Sequence, residues 1–169
     1  MKVGVFYGSN TGNTEEVIEV LDSTLQENGF EVSKYDMQSS SSKDFDSYDF
    51  MIMACPTWND GELQDDFEDD ANNIEKYDFT GKTVALVGLG DQETYSDTFV
   101  DAIGTLSEMC KKNGAKVIGS WPIEGYDFEE SAAVIDGKFV GLALDEDNQS
   151  DMTSERISTW VNQLKEELK

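Results

Sequence analysis

The residues with the clearest capacity to bind a ligand form a hydroxyl-rich turn, Ser9-Asn10-Thr11-Gly12-Asn13-Thr14, which follows a short apolar run. Apolar residues at helical spacing come after it, at Val17, Ile18, Leu21 and Leu25. The first turn of a helix presents unpaired backbone N–H groups and the positive end of the helix dipole, and both favour a bound phosphate. Three hydroxyl groups add donors, and Gly12 allows the backbone to approach a ligand closely.

This turn differs from the two best-known phosphate loops. The nucleoside-triphosphate loop needs Lys-Ser/Thr after its second glycine, and the dinucleotide fingerprint needs Gly-x-Gly-x-x-Gly. Here Asn13 follows Gly12, and no Lys or Arg lies between Lys2 and Lys34. A phosphate would therefore be held by neutral donors alone. An ordinary strand-to-helix turn capped by Ser9 or Thr11 explains the same residues, so both interpretations stay open on this stretch alone.

Length and composition indicate one globular domain covering residues 1–169. The chain is 38% hydrophobic and 28% charged, which is typical of a folded water-soluble protein. No apolar run is long enough to span a bilayer, and the N-terminus leads into a strand without a secretory signal. Cys55 and Cys110 are too few for a disulfide framework and are interpreted as small buried hydrophobic residues in a reducing compartment. We therefore expect a cytoplasmic protein, and a monomer because no apolar surface stripe is evident.

The charge of the chain narrows the classes of partner and of chemistry. Asp and Glu number 36 and Lys and Arg 12, which gives a net charge of −24. Such a field repels nucleic acid and anionic membranes and steers a basic protein partner toward the molecule. Solubility or adaptation to a salty medium also explains the charge. The chain has no His, which removes the most common general base and metal ligand, so we expect no catalytic residue and no metal.

Strand and helix patterns alternate along the chain. The predicted strands are residues 2–7, 30–36, 50–55, 83–89, 116–120 and 138–144. The predicted helices are residues 13–28, 63–72, 98–113 and 153–167, the last with Ser150 and Thr153 as candidate caps. Residues 50–55 are unbroken apolar residues, as expected of a central parallel strand that stops at Pro56. Residues 121–137 are predicted to be loop with weak structure.

This alternation predicts an α/β fold with a doubly wound parallel sheet of five strands in the order 2-1-3-4-5. Ligands of such sheets bind beyond the carboxyl ends of the strands, where strands one and three diverge. The hydroxyl-rich turn lies at one of those ends. The loops after strands three and four should line the same crevice.

Those two loops each carry an isolated aromatic residue. Trp58 lies in Pro56-Thr57-Trp58-Asn59-Asp60-Gly61-Glu62, and Tyr95 lies in the polar segment 88–97. Neither has apolar neighbours at strand or helix spacing, so each either covers a strand end or contacts a ligand. Together they could hold a flat heteroaromatic ring by offset stacking. A phosphate and a flat ring, with no basic residue and no catalytic base, point to FMN.

At this point the residues resemble those of the flavodoxins. Ser9 to Thr14 is similar to the flavodoxin phosphate loop. Residues 55–59 and 61–64 are similar to its tryptophan loop. Gly90-Asp91-Gln92, together with Tyr95 and Asp97, is similar to its tyrosine loop. Residues 121–137 resemble the insertion that splits the last strand in long-chain flavodoxins, and residues 141–149 the segment after it. The resemblance covers the whole chain and favours flavodoxins of oxygenic phototrophs.

The resemblance implies an FMN site and a role for its loops. The implied cofactor-binding residues are Ser9, Asn10, Thr11, Gly12, Asn13, Thr14, Pro56, Thr57, Trp58, Asn59, Asp60, Gly61, Leu89, Gly90, Asp91, Gln92, Tyr95, Asp97 and Asp147. Trp58 and Tyr95 would cover the two flavin faces, and the Asn59–Asp60 peptide would face flavin N5 and change its hydrogen bond on reduction. Asp60 and Glu93 stand where such flavodoxins often carry apolar residues, and Ser9 stands where Thr is usual. We expect the first two to add negative charge to the partner-facing rim.

The function implied by the resemblance is low-potential single-electron transfer. Bound FMN would cycle mainly between semiquinone and hydroquinone, carrying electrons from photosystem I to ferredoxin–NADP reductase or another low-potential acceptor. An FMN-dependent quinone or NAD(P)H reductase on the same fold is the main alternative. A phosphoryl-receiver domain lacks its acidic residues here, since strand three ends Cys55-Pro56. An acidic nucleic-acid mimic would leave the Trp58 and Tyr95 loops unexplained.

Overall fold

The apolar runs of the sequence form the strands of a parallel sheet covered by helices on both faces. The computed structural model describes residues 1–10 and 12–169. The strands are β1 (Lys2–Tyr7), β2 (Glu31–Asp36), β3 (Phe50–Trp58), β4 (Glu62–Leu63), β5 (Thr83–Leu89), β6 (Lys116–Ile118), β7 (Trp121–Pro122), β8 (Val134–Ile135), β9 (Lys138–Phe139) and β10 (Leu142–Leu144). The helices are α1 (Gly12–Glu27), α2 (Asp65–Lys76), α3 (Asp101–Lys112) and α4 (Thr153–Glu167), with 3-10 turns at Ser42–Ser47 and Ser150–Met152.

The order of the main strands confirms the predicted topology. β2, β1, β3 and β5 are parallel neighbours in that order. The fifth position is shared, because β6 pairs with residues 83–85 of β5 and β10 pairs with residues 87–89 of the same strand. Counted as five main strands in chain order, the sheet therefore has the predicted order 2-1-3-4-5, and its last strand is split as the resemblance implies.

Each face of the sheet has its own apolar layer. On one face α1 and α4 pack against β1, β3 and β10, with Trp160 fully buried at the centre of α4. On the other face α2 and α3 pack against β3 and β5, through Phe67 and Leu106 among others. Cys55 and Cys110 are buried in that second layer and are unpaired, as predicted. The carboxyl ends of the strands are left uncovered by helices and carry the loops of interest.

Several predicted boundaries are wrong near those loops. β3 continues through Pro56 to Trp58, because its last residues gain an antiparallel partner in β4. α2 runs over Asp65–Lys76 instead of 63–72, since Leu63 belongs to β4 and Gln64 is the N-cap. α3 starts at Asp101 instead of 98, after Val100 adopts a left-handed conformation (φ 49°).

The insertion contains a small sheet of its own. β7, β9 and β8 pair antiparallel in that order, so the predicted single strand over residues 138–144 is wrong. It divides between β9 in the small sheet and β10 in the main one. The chain crosses from one to the other at Gly141, where an added Cβ would overlap the carbonyl of Leu86. A larger residue there would push the start of β10 away from β5.

The predicted caps of the last helix are also wrong. The N-cap of α4 is Met152, which makes no side-chain capping hydrogen bond. The hydroxyl of Thr153 instead donates to the carboxylate of Glu146 and so ties the helix to the loop after β10. None of the helices within residues 1–10 and 12–169 is long and apolar enough to cross a bilayer.

Candidate functional site

A cleft of about 540 Å³ opens where the loops after β1, β3, β5 and β10 meet. Its lining residues are Asn10, Asn13, Thr14, Pro56, Thr57, Trp58, Asn59, Leu89, Gly90, Asp91, Tyr95, Glu146 and Asp147. Its volume falls within the range of about 300–1,000 Å³ that small-molecule sites occupy. The loops that the sequence predicts to converge therefore do converge.

One end of the cleft is formed by the N-terminus of α1. Thr14 is buried, with 2% of its surface exposed, and its position in the first turn of α1 puts a hydroxyl beside the free backbone donors of that helix. Asn10 and Asn13 are exposed at the same end. Thr11 lies outside the described residues. The donors that line this end are neutral, so it suits an anion held by hydrogen bonds and the helix dipole.

A buried glutamine supports this end from below. Gln64 is fully buried, and its amide nitrogen donates to Asn10 Oδ1 and to Asp66 Oδ2 (2.8 Å). Its carbonyl oxygen accepts from the backbone N–H of Asp66 (3.0 Å) at the start of α2. An added Cβ on Gly8 would overlap that oxygen. Gln64 therefore links the turn after β1 to the start of α2, a role that nothing in the sequence pattern signals.

The tryptophan loop is fixed at both of its ends. Trp58 is half-buried and pairs with Glu62 in the β3–β4 hairpin, while Asn59 (φ 48°) and Gly61 (φ 92°) turn the chain between them. The conformation of Gly61 is one that L side chains rarely adopt, and an added Cβ would lie 2.7 Å from Asp101 Oδ2. The turn is therefore specific for glycine and keeps the Trp58 ring against the cleft.

Thr57 connects the same loop to α3. Its hydroxyl oxygen accepts the backbone N–H of Ala102 at 3.0 Å. The N-cap of α3, Val100, has no side chain that could accept this bond. A side chain from β3 thus caps a helix that is distant in sequence, and the cleft wall and the start of α3 are held together.

The opposite wall of the cleft is the loop after β5. Tyr95 is 52% exposed and contributes a second aromatic ring. Asp91 organises the turn before it, since its Oδ1 accepts from the N–H groups of Glu93 (3.1 Å) and Thr94 (2.9 Å) and from the Asn148 amide (2.8 Å). Burial acts to raise the pKa of Asp91, but these hydrogen bonds outweigh it and hold the pKa below its ordinary value.

Not all of the predicted site residues line the cleft. Of the described residues, Ser9, Gly12, Asp60, Gly61, Gln92 and Asp97 do not line it. Gln92 is 3% exposed and turns inward, where its amide donates to Asp145 and accepts from the N–H of Asp127. Glu146 lines the cleft and is missing from the prediction, although it stands in an acidic run beside Asp147. Cofactor contact by any of these residues stays a prediction.

The acidic residues around the cleft are not neutralised by ion pairs within the described parts of the chain. The salt bridges found there involve Lys34, Lys112 and Lys169, all of them elsewhere. Burial, together with the charges of Asp91 and Asp145, raises the pKa of Asp147. Most acidic residues of the loops around the cleft face solvent. Asp145 is an exception, because it is fully buried and cannot contact a partner directly.

The residues present suit a phosphate joined to a flat aromatic ring. Neutral donors and a helix N-terminus lie at one end of the cleft, and two aromatic side chains, Trp58 and Tyr95, line it further along. Helix N-termini bind phosphates without basic residues, and aromatic pairs favour stacked or offset contact with a ring. FMN combines both groups.

Comparison with known proteins agrees with this arrangement. The flavodoxin family model matches residues 5–160. The flavodoxin of Synechococcus elongatus is 50% identical over 168 residues, covering 98% of this chain and 97% of its own. Flavodoxin 1 of Escherichia coli is 44% identical over 166 residues, covering 98% and 93%.

Solved structures give the same result. The crystal structure of Fusobacterium nucleatum flavodoxin bound to flavin mononucleotide superposes with a TM-score of 0.93 at 33% identity, covering 98% of each chain. The four loops that meet at the cleft, the split fifth strand and these similarities over nearly the whole chain lead to one assignment: the chain belongs to the flavodoxin family.

Proposed function

We propose that this chain is a low-potential one-electron carrier that holds one FMN non-covalently in the cleft. The observation that carries the proposal is that Trp58 and Tyr95 line the same cleft as Thr14 at the N-terminus of α1. The FMN bound by the structurally similar Fusobacterium nucleatum protein supports the choice of cofactor.

FMN supplies the one-electron chemistry when it is bound, and the chain supplies binding, orientation and electrostatics. The α1 N-terminus and the Thr14 hydroxyl would hold its phosphate. Trp58 and Tyr95 would cover its ring and keep water from the faces. Because 52% of the Tyr95 surface is exposed, a partner protein can contact this wall of the cleft directly while the cofactor stays bound.

The partners we propose are basic redox proteins, with photosystem I as donor and ferredoxin–NADP reductase or another low-potential protein as acceptor. The cyanobacterial origin of a relative at 50% identity supports this choice. The net charge of −24 and the unpaired acidic residues around the cleft favour an electrostatically steered encounter with a basic surface. We propose that the carrier works as a monomer in the cytoplasm.

The test begins with cofactor binding. We expect the purified protein to bind one FMN per chain, far more tightly than riboflavin, with flavin fluorescence strongly quenched. Trp58→Phe should weaken binding and change the quenching. Trp121→Phe is the matched control, because Trp121 lies in the insertion and donates to the hydroxyl of Tyr126, away from the cleft. Equal affinity for FMN and riboflavin would contradict the proposed phosphate site.

The second part of the test concerns the reaction. Stopped-flow reduction by ferredoxin–NADP reductase should slow as ionic strength rises, because salt screens the attraction between unlike charges. A rate that is flat across the salt series would show that the charge has no role in docking. Quinone reduction with NADPH and no added reductase would instead support the enzyme alternative.

A further inference from the structure

Asp145 is a buried carboxylate at the carboxyl end of β10, with none of its surface exposed. Its Oδ2 accepts from the backbone N–H of Gln92 (3.1 Å), from the Gln92 amide (2.7 Å) and from the Asn148 amide (2.9 Å). Its Oδ1 accepts from the backbone N–H groups of Asp147 (3.1 Å) and Asn148 (3.0 Å). Five donors therefore converge on one side chain, which fills the capacity of a carboxylate to accept hydrogen bonds.

These bonds hold the two loops that form one side of the cleft. The first is the turn from Gly90 to Gln92, and the second is the loop after β10, which contains Asp147. Gly90, Asp91 and Asp147 line the cleft. The Asn148 amide also reaches Asp91 Oδ1 at 2.8 Å, so it bridges the two carboxylates. Asp145 lies behind this wall and touches nothing inside the cleft, so any effect on a ligand must pass through the loops or through its charge.

The same network reaches the insertion. The amide oxygen of Gln92 accepts the backbone N–H of Asp127 at 2.6 Å. Gly90 donates its own backbone N–H to Leu144 (3.1 Å), beside Asp145. Since the N–H groups of Gly90 and Gln92 are both used inside the protein, we expect the N–H of Asp91 to remain for a ligand in this turn.

The charge of Asp145 acts differently from that of the exposed carboxylates. In the described part of the chain it forms no salt bridge with Lys or Arg, and five N–H groups donate hydrogen bonds to it. A buried charge is screened less by water and salt than an exposed one such as Asp60. It therefore exerts a fixed field on whatever occupies the neighbouring cleft.

We propose that Asp145 is a positioning residue for the flavin ring edge and a fixed negative charge that opposes the second electron. Its five hydrogen bonds set the backbone of the Gly90–Gln92 turn and of the loop after β10, and its charge disfavours further negative charge in the cleft. The proposal rests on the proposed function, because it assumes that the cleft binds FMN.

The test compares Asp145→Asn with wild type in FMN affinity, in both one-electron potentials and in urea stability of the apoprotein. Asn keeps the size of the side chain but removes the charge and turns an amide toward N–H donors. We expect the Kd for oxidised FMN to rise about tenfold or more. We expect the equilibrium of the second electron to shift about tenfold toward the reduced form, which is about 59 mV for one electron. Asp136→Asn is the matched control, since Asp136 is exposed on the insertion and the same net charge is removed.

A second variant separates the positioning role of Asp145 from the effect of its charge. Gln92→Met removes the amide that joins Asp145 to Asp127 and leaves the carboxylate in place. We expect it to weaken FMN in all redox states alike, so that the Kd rises and the potentials stay constant. If Asp145 had a purely structural role, Asp145→Asn would also raise the Kd and leave the potentials constant. That result would overturn the charge part of the proposal.

The remaining outcomes are also decisive. Unchanged affinity and potentials in Asp145→Asn would overturn the whole proposal, as would shifts of equal size in Asp136→Asn. If Asp145→Asn does not fold, Gln92→Met with wild-type affinity would overturn the positioning role. Failure of the wild-type chain to bind FMN at all would refute the proposed function instead.

Discussion

The hydroxyl of Thr57 is expected to stabilise α3 from a different element of the fold. It accepts the Ala102 N–H at 3.0 Å, and the N-cap residue Val100 has no group that could replace it. Thr57→Val keeps the shape of the side chain and leaves that N–H without an acceptor. Removing a capping side chain costs about 0.5–2 kcal/mol, and an unpaired donor that is shielded from water costs about 1–3 kcal/mol. We therefore expect a loss of about 1–2 kcal/mol in the free energy of unfolding.

The assay is urea denaturation of the apoprotein, followed by circular dichroism, so that no ligand contributes to stability. With a slope of about 2–3 kcal/mol per molar urea, the midpoint should fall by about 0.3–1 M. The melting temperature should fall by about 2–8 °C, since a domain of this size loses about 2–4 °C per kcal/mol. Thr57→Ser is the control, because it keeps the hydroxyl and should lose less.

Two results would refute this reasoning. An unchanged midpoint in Thr57→Val would mean that the Ala102 N–H finds another partner, such as water. A loss in Thr57→Ser as large as that in Thr57→Val would mean that the methyl packing of Thr57 matters, and its hydroxyl does not.

Three further predictions concern the cofactor and the pH dependence. Thr14→Ala should weaken FMN by about 1–3 kcal/mol, the range for a hydrogen bond to a charged group, and should leave riboflavin binding nearly unchanged in a fluorescence titration. Asp60→Asn should raise the potential of the second electron by about 30–120 mV in spectroelectrochemistry, from the Coulomb energy of a unit charge at ~6 Å and an effective dielectric of ~20–80; a fixed potential would mean that Asp60 acts only on the partner. Burial raises the pKa of Asp101 and outweighs the hydrogen bond from Ala132, so the folded chain binds this proton more tightly than the unfolded chain. The stabilising contribution of the protonated Asp101 carboxyl is fully present below pH 3.8, its ordinary pKa, and is lost as the pH rises through the raised pKa. Asp101→Asn should therefore be more stable than wild type to urea at neutral pH, with the gain disappearing below about pH 3.8; an equal gain at both pH values would contradict the burial argument.

The sequence predicts the sheet and the three loops because local patterns determine them. The apolar run over residues 50–55 is short and stops at Pro56, which favours a buried strand, and alternation with helices restricts the order of the sheet. Trp58 and Tyr95 are recognisable because each is an aromatic residue without periodic apolar neighbours. The positions of these residues in the cleft follow from the topology.

What the sequence misses depends on contacts between distant segments. β3 extends beyond Pro56 only because β4 pairs with it, and α3 starts late because Val100 is held in a left-handed conformation. The inward turn of Gln92 requires Asp145 and Asp127, which lie 53 and 35 residues away. A polar residue in a cleft loop gives no sequence signal that tells ligand contact from internal support.

The two edges of the main sheet have a consequence for self-association. β2, at one edge, carries four charged or polar residues among its six (Glu31, Ser33, Lys34, Asp36), and the opposite edge is made of two separate three-residue strands, β6 and β10. Charged or interrupted edges pair poorly with a second sheet. We therefore expect the chain to resist edge-to-edge aggregation even when concentrated, although its longest strands are almost entirely apolar. The insertion that splits the fifth strand thereby also protects the protein from polymerising through that edge.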